Sequence, residues 1–141
     1  MKADNIVKIT FKSKSINEGF ARGAVSALVA SLDPTVEQLA DIKTAVSEAV
    51  TNAIVHAYPD RLGDITLRIA VYGSERLTIT IADKGVGIED INKAREPLFT
   101  TGGDERAGLG FAVMESFMDK VTVYSKLNKG TRVTLTKYIN N

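Results

Sequence analysis

Apolar and polar residues alternate in five short stretches of the chain. Val7, Ile9 and Phe11 alternate with lysine and threonine near the N-terminus, which is the period of a half-buried strand. The same alternation predicts five strands, at residues 7–11, 65–71, 77–82, 121–126 and 131–136. The short link from Gly73 to Arg76, and later Asn128-Lys129-Gly130, predict that the last four strands form two antiparallel hairpins.

Two longer segments between the first and second strands have apolar residues at helical spacing. The first begins at Ile16. Asp33 followed by Pro34 is expected to end it and to supply the cap and the first-turn proline of the next helix. That second helix is expected to run to about Ala57.

The region from 85 to 110 is rich in glycine, and we expect one short helical piece in it, at 90–94. Gly110 is expected to open a third main helix that ends near Met118. Five largely antiparallel strands, each with one apolar face, need three such helices to cover that face. The pattern therefore predicts an α+β two-layer sandwich.

The composition excludes several classes of protein. A length of 141 residues suits one domain, which we expect to span 1–141. The absence of cysteine excludes disulfides and thiolate metal sites, and a net charge of +1 gives no electrostatic reason for direct binding to nucleic acid or a membrane. The N-terminus lacks the basic and apolar regions of a signal peptide, so a cytoplasmic location is expected.

Glu48, Asn52 and His56 follow one another at four-residue spacing in the second predicted helix. Residues four apart lie on one helix face, so these three form a polar stripe. A solvated helix edge is the ordinary explanation. However, asparagine is a poor helix former, and its neighbours Val50 and Ile54 are typical of a core. An Asn52 that leans inward would need a partner.

Three glycine clusters could supply that partner. Asp83 is followed by Gly85 and Gly87, Gly108-Leu109-Gly110 stands at the expected start of a helix, and Gly130-Thr131 stands between the last two strands. Glycine lets a ligand approach the main chain, and a helix start favours phosphate. Taken singly, the first cluster is equally compatible with a turn, and the third with a hairpin.

The order of these motifs resembles the ATP-binding (Bergerat) fold shared by histidine kinases, gyrase, Hsp90 and MutL, with a mostly antiparallel mixed sheet covered on one face by helices. The resemblance implies binding of ATP or ADP with Mg²⁺. It makes Asn52 the side-chain ligand of Mg²⁺, Asp83 the acceptor for the adenine amino group, and Thr131 a hydroxyl near that contact. Glu48 matches the residue that orients or deprotonates an attacking hydroxyl.

The same resemblance implies further nucleotide contacts in the glycine-rich loops. These are assigned to Gly85, Gly87, Thr101, Gly108, Leu109 and Gly110. Residues 99–107 are expected to form a lid over the phosphates, in which Arg106 is the candidate for the γ-phosphate contact, because a guanidinium suits phosphate oxygens. A solvated loop arginine is the alternative.

Four segments resemble the anti-sigma F factors of spore-forming bacteria: "SEAVTNAIVHAY" (47–58), "PLFTT" (97–101), "GLGFAVMESFMDKV" (108–121) and "NKGT" (128–131). That family implies a protein that binds and silences a sporulation sigma factor. It also implies a serine kinase that phosphorylates a small anti-anti-sigma protein. The expected result is a partner switch, because phosphorylation adds about two negative charges to the antagonist.

The family also implies a partner surface on the first helix, where Glu18 and Arg22 lie four residues apart. A surface ion pair is the ordinary explanation for that spacing. A homodimer is implied as well, and the first strand, with Val7, Ile9 and Phe11, could pair across its edge.

Other hypotheses remain open. One is a general-stress anti-sigma kinase of the same family, which differs in its partner. Another is an ATP-gated sigma-binding module that transfers no phosphate. A conformational ATPase of the gyrase or Hsp90 type would need a transducer, which we do not find up to residue 141. A histidine kinase would need a phosphoacceptor, and His56, the one histidine, is expected to have a structural or phosphate-neighbouring role instead.

Overall fold

The computed structural model of the chain describes residues 2–88 and 105–139, and gives the backbone alone for 105–109. Five strands and three helices make up this part of the chain. In chain order they are β1 (Asn5–Lys12), α1 (Ile16–Ala30), α2 (Val36–His56), β2 (Asp64–Tyr72), β3 (Arg76–Asp83), α3 (Glu105–Phe117), β4 (Lys120–Lys126) and β5 (Gly130–Tyr138).

The five strands form one sheet in the order β1-β2-β3-β5-β4, and each neighbouring pair is antiparallel. The register places apolar residues side by side across the sheet, for example Ile9 beside Leu67 and Leu67 beside Ile81. Since side chains alternate between faces, this register gives the sheet one continuous apolar face. The other face is largely polar, with threonine pairs such as Thr10 and Thr66.

The helices pack on the apolar face, with α2 between α1 and α3. Its six buried residues recur every three or four positions and belong to the same core as the apolar face of the sheet. They are Ile42, Ala45, Val46, Ala49, Val50 and Ala53. The predicted α+β sandwich is confirmed. The sheet, expected to be mixed, contains only antiparallel pairs among the described strands.

The predicted start of α2 is wrong in detail. Thr35, not Asp33, is the N-cap: its hydroxyl accepts from the Gln38 backbone N–H, and the Gln38 side chain accepts from the Thr35 backbone N–H. Asp33 has a φ of 55°, a left-handed conformation that belongs to the link after α1. Pro34 therefore precedes the cap instead of standing in the first turn.

The predicted start of α3 is also wrong. The helix begins at Glu105, so Gly110 lies in its second turn, beyond the first four N–H groups that lack a partner within the helix. Charged and alanine residues before Gly108 are good helix formers, which explains the earlier start. The helical piece predicted at 90–94 lies outside the described residues. Within the described part of the chain, no helix is long and apolar enough to cross a membrane.

Candidate functional site

The polar stripe of α2 faces the neighbouring helices. Glu48 and Asn52 are both partly buried, and they are one turn apart, separated by about 6 Å along the helix axis. Gly110 of α3 lies against Asn52, because a Cβ added to that glycine would lie 2.7 Å from Asn52 Nδ2. A side chain at position 110 would therefore displace the amide. His56 is the last residue of α2 and is also partly buried.

Both polar atoms of the Asn52 amide are buried without a hydrogen-bond partner among the described residues. Leaving a buried polar group unsatisfied typically costs about 1–3 kcal/mol, so an amide in this position is a candidate for contact with a ligand. The amide oxygen is a ligand that Mg²⁺ accepts. Asn52 thus fits the predicted metal and phosphate contact.

Asn52 offers one candidate protein ligand for a metal that is held mainly by its substrate. Where the structure describes the chain, no three His, Cys, Asp or Glu side chains cluster in a way that could hold a metal ion. Mg²⁺ keeps several waters and commonly binds through one or two protein groups plus substrate phosphates. One asparagine oxygen is compatible with that mode of binding.

Asp83 is the last residue of β3 and lies at the end of the sheet. Its Oδ1 accepts from the backbone N–H groups of Gly85, at 2.9 Å, and Thr131, at 3.2 Å. Burial raises the pKa of this carboxyl above its ordinary value, and the two hydrogen bonds counteract part of that rise. Because both bonds use Oδ1, Oδ2 is left to accept from a ligand.

The loop after Asp83 packs against the end of α2. Val86 N–H donates to Ala57 C=O at 2.9 Å, and a Cβ on Gly85 would lie 2.0 Å from that same oxygen. Gly87 has a φ of 74°, and its added Cβ would lie 2.2 Å from the Lys126 carbonyl oxygen. We expected these glycines to admit a ligand to the main chain. Their immediate role is to let the loop fit between α2 and the β4–β5 hairpin.

Tyr58 supports this loop, and the sequence analysis did not identify it. Its hydroxyl donates to the Asp64 carbonyl at 2.7 Å and accepts from the Lys84 N–H at 2.8 Å. Gly63 packs against the ring, since an added Cβ would lie 2.3 Å from it. Tyr58 thereby joins the end of α2, the start of β2 and the residue after Asp83. In the sequence, Tyr58 stands next to a proline that ends the helix, and nothing in that pattern predicts contacts with residues as far away as Lys84.

Thr131 is close to Asp83, as predicted, and its hydroxyl is part of a network. Thr131 Oγ1 lies 2.8 Å from Ser125 Oγ, and Ser125 in turn contacts the backbone of Ile88 and Gly130. Sequence reasoning missed Ser125, which stands in an alternating strand pattern like any other polar position. The structure thus brings Asp83 and Thr131 together through backbone and hydroxyl contacts.

Several predicted site residues have no described side chain. Thr101 lies outside the described residues, as do the side chains of Arg106 and Leu109. Gly108 and Gly110 both lie within α3. Of these residues, Gly110 lies next to Asn52. The nucleotide contacts expected for the others stay predictions.

The predicted partner residues on α1 are adjacent to the catalytic candidate on α2. Arg22 Nη1 donates to Glu18 Oε1 at 2.8 Å and to Ser47 Oγ at 3.3 Å. An open groove of about 370 Å³ runs along this junction. Its lining residues are Arg22, Ala40, Lys43, Thr44, Ser47 and Glu48. The groove therefore connects Arg22 directly with Glu48.

The fold and the site define a histidine kinase-like ATPase domain, and the model of that family matches residues 12–137. The match implies that the chain binds ATP and ADP. A solved structure of the RsbU and RsbW domains of Rv1364c from Mycobacterium tuberculosis is similar, with a TM-score of 0.71. It is 21% identical and covers 96% of this chain and 32% of that one, which is evidence for the fold alone.

Proteins similar over the full length narrow the class. An anti-sigma F factor from Thermoanaerobacter sp. (strain X514) is 54% identical over 142 residues, covering 100% of this chain and 99% of the relative. An anti-sigma F factor from Clostridium perfringens (strain SM101) is 51% identical and covers 97% of this chain and 99% of that relative. The chain therefore belongs to the anti-sigma F factor family, which confirms the resemblance seen in its sequence.

Proposed function

We propose that the protein is an anti-sigma factor of the cytoplasm that binds and inhibits sigma F, and that it is also a serine kinase. Its substrate would be the anti-anti-sigma antagonist, which it phosphorylates and inactivates with Mg-ATP. The observation that carries the proposal is the pair on α2. Glu48 borders an open groove, and Asn52, one turn further on, has a buried amide without a hydrogen-bond partner in the described part of the chain.

In the proposed reaction, Glu48 and the groove lie on the side of the attacking serine hydroxyl. The serine hydroxyl oxygen of the antagonist forms a bond to the γ-phosphorus, while the bond from that phosphorus to the β–γ bridging oxygen breaks and ADP leaves. Glu48 takes the proton from the serine hydroxyl. Phosphoryl transfer depends largely on positioning and charge stabilisation, so one well-placed carboxylate is sufficient on this side.

The nucleotide side would use Asn52, one turn beyond Glu48 on α2, and residues at the end of β3 and the start of β5. Asp83 would accept from the adenine amino group through Oδ2, with Thr131 beside it. Asn52 would hold Mg²⁺, which when bound neutralises phosphate charge. Arg106 is proposed to contact the γ-phosphate. Thr101 and Leu109 are proposed to contact the nucleotide.

Partner binding would use the groove between α1 and α2. Glu18 and Arg22 form an ion pair whose guanidinium is held a second time by Ser47, so Arg22 is presented in a defined position. Phosphorylation would add charge to the antagonist and weaken its binding, which frees this protein to hold sigma F. A homodimer formed through the edge of β1 is part of the proposal, because among the described strands β1 pairs with β2 alone.

The decisive experiment is transfer of labelled phosphate from Mg-ATP to the cognate antagonist. Glu48→Ala should lower the rate about 100-fold or more, because general-base contributions are about 10²- to 10⁴-fold, while leaving ATP binding intact. Asn52→Ala should lower both transfer and the dependence of ATP binding on Mg²⁺. Glu37→Ala, in the exposed first turn of the same helix, is the matched control and should retain native activity.

Other outcomes of the phosphate-transfer experiment would change the proposed function. ATP binding without any transfer by the native chain would make the protein an ATP-gated sigma-binding module. Native activity in Glu48→Ala would remove that residue from the mechanism. Transfer to a general-stress antagonist in preference to the sporulation one would assign the protein to the stress branch of the family.

A further inference from the structure

Ser125 occupies the centre of the hydrogen-bond network beside Asp83. Its Oγ lies 2.7 Å from the backbone nitrogen of Ile88, 3.0 Å from the carbonyl oxygen of Gly130 and 2.8 Å from Thr131 Oγ1. All three distances are in the normal range for hydrogen bonds. The hydroxyl therefore joins the loop after β3 to the β4–β5 hairpin.

The direction of each bond follows from the number of available protons. A serine hydroxyl has one proton to donate and can accept two bonds. The Gly130 carbonyl can only accept, so it receives the Ser125 proton, while the Ile88 N–H can only donate. In the remaining bond Ser125 must accept, so Thr131 donates. The single proton of the Thr131 hydroxyl is thus already used inside the protein.

Thr131 can therefore present only lone pairs to a ligand. Its neighbour Asp83 is also an acceptor when ionised, and the Thr131 backbone N–H is bonded to Asp83 Oδ1. A base placed here meets the Asp83 and Thr131 side chains as hydrogen-bond acceptors, and neither of these side chains can donate to it. The exocyclic amino group of adenine suits such a surface, whereas the carbonyl oxygen at the same position of guanine or hypoxanthine does not.

We propose that Ser125 determines purine specificity, by fixing the proton of Thr131 so that the pocket rejects 6-oxopurines. Ser125 acts here as a positioning residue, because it reaches the base through Thr131. The inference rests on the proposed nucleotide site, in which the adenine lies against Asp83 and Thr131. It adds the means by which that site distinguishes adenine from other purines.

The test compares the dissociation constants of ATP and inosine triphosphate, which carries a carbonyl oxygen in place of the amino group. The native chain should prefer ATP strongly. In Ser125→Ala the Thr131 hydroxyl can turn and donate to the carbonyl oxygen, so the ratio of the two constants should fall roughly tenfold, the equivalent of one hydrogen bond. A general loosening of the loop would weaken both nucleotides alike and leave the ratio unchanged.

Four further variants make the result specific. Thr131→Val removes the acceptor and should also lower the ratio, and adding Ser125→Ala to it should have no further effect. Ser125→Thr keeps a hydroxyl and should keep the native ratio. Ser116→Ala removes an exposed serine hydroxyl that donates to the Ala112 carbonyl within α3, and serves as the matched control.

The failures of the two proposals are distinguishable. A native chain that does not bind ATP, or binds it independently of Asp83, would overturn the proposed site itself. A native chain with a strong preference for ATP, whose ratio is unchanged in Ser125→Ala, would overturn the role of Ser125 alone. If Ser125→Ala does not fold, an unchanged ratio in Thr131→Val has the same meaning.

Discussion

At the residue scale, Asp83 illustrates a conflict between stability and binding. Burial raises the pKa of its carboxyl, and the hydrogen bonds from Gly85 and Thr131 offset only part of that rise. A raised pKa in the folded state means that folding disfavours the ionised form. The stabilising contribution is fully present below the pKa of the unfolded chain and is lost as the pH rises through the folded pKa. At neutral pH the charge therefore destabilises the nucleotide-free protein.

Asp83→Asn should separate these two properties. The amide oxygen can still accept from both N–H groups, so removal of the buried charge should raise the melting temperature of the nucleotide-free chain at pH 7. With its oxygen held there, the variant presents an NH2 group in place of Oδ2, and this donor cannot accept from the adenine amino group, so ATP affinity should fall about tenfold or more. Calorimetry of unfolding and of ATP binding measures both. In the native chain, ATP affinity should decline as the pH is lowered through the raised pKa. A lower melting temperature in the variant would contradict this account.

At the scale of elements, the glycines next to the site serve the packing of one segment on another. Gly85 fits the loop after β3 against the end of α2, where an added Cβ would lie 2.0 Å from a backbone oxygen. Gly23, on the exposed side of α1, would meet nothing within 4 Å. The same substitution should therefore have opposite effects at the two positions.

Gly85→Ala should destabilise the fold by about 1–3 kcal/mol and weaken ATP binding, because the loop must move away from α2. Gly23→Ala should instead stabilise it by about 0.5–1 kcal/mol, since alanine is the better helix former. Denaturant unfolding of both variants, with ATP titration, makes the comparison. If the two variants had equal free energies of unfolding, the loop around residue 85 would be able to shift and accommodate the added methyl group.

The elements were predictable from the sequence to the extent that their signals are local. Period-two alternation located all five strands, and helical spacing located α1 and α2. The cap of α2 could also have been found, because Thr35 and Gln38 form a Ser/Thr-x-x-Glu/Gln signature. Ser125 and Tyr58 could not, since their partners Ile88 and Lys84 lie 37 and 26 residues away. Asn52 and Asp83 were assigned to the candidate site from the order of motifs, which a family shares, rather than from geometry.

At the scale of the whole molecule, the proposed partner groove and the proposed nucleotide site occupy different parts of the structure. Arg22 lies in the groove between α1 and α2, whereas Asp83 and Thr131 lie at the ends of the central strands. Glu48 lies where the groove meets the stripe that leads to Asn52. A change at Arg22 should therefore alter partner binding and leave nucleotide binding unaffected.

Arg22→Ala should weaken binding of the antagonist and of sigma F by about tenfold, the loss expected for a charge-assisted contact, with ATP affinity unchanged. In the kinase reaction the effect should appear as a higher KM for the antagonist. Arg68→Ala, on the polar face of the sheet opposite Lys8, controls for the loss of one guanidinium. Native partner affinity in Arg22→Ala would place the docking surface elsewhere.

The helix α2 extends for about 30 Å, from its capping box to the loop that packs on Ala57. Glu48 and Asn52 both lie on this one helix, so the distance between them is fixed by the helix itself. The part of the groove that α1 contributes belongs to a separate element. Under the proposed function, a change at Arg22 on α1 could thus alter which protein is recognised without disturbing the proposed reacting centre. After gene duplication, two copies could come to bind different partner proteins while both keep the same reaction. A set of related regulatory proteins could arise in this way.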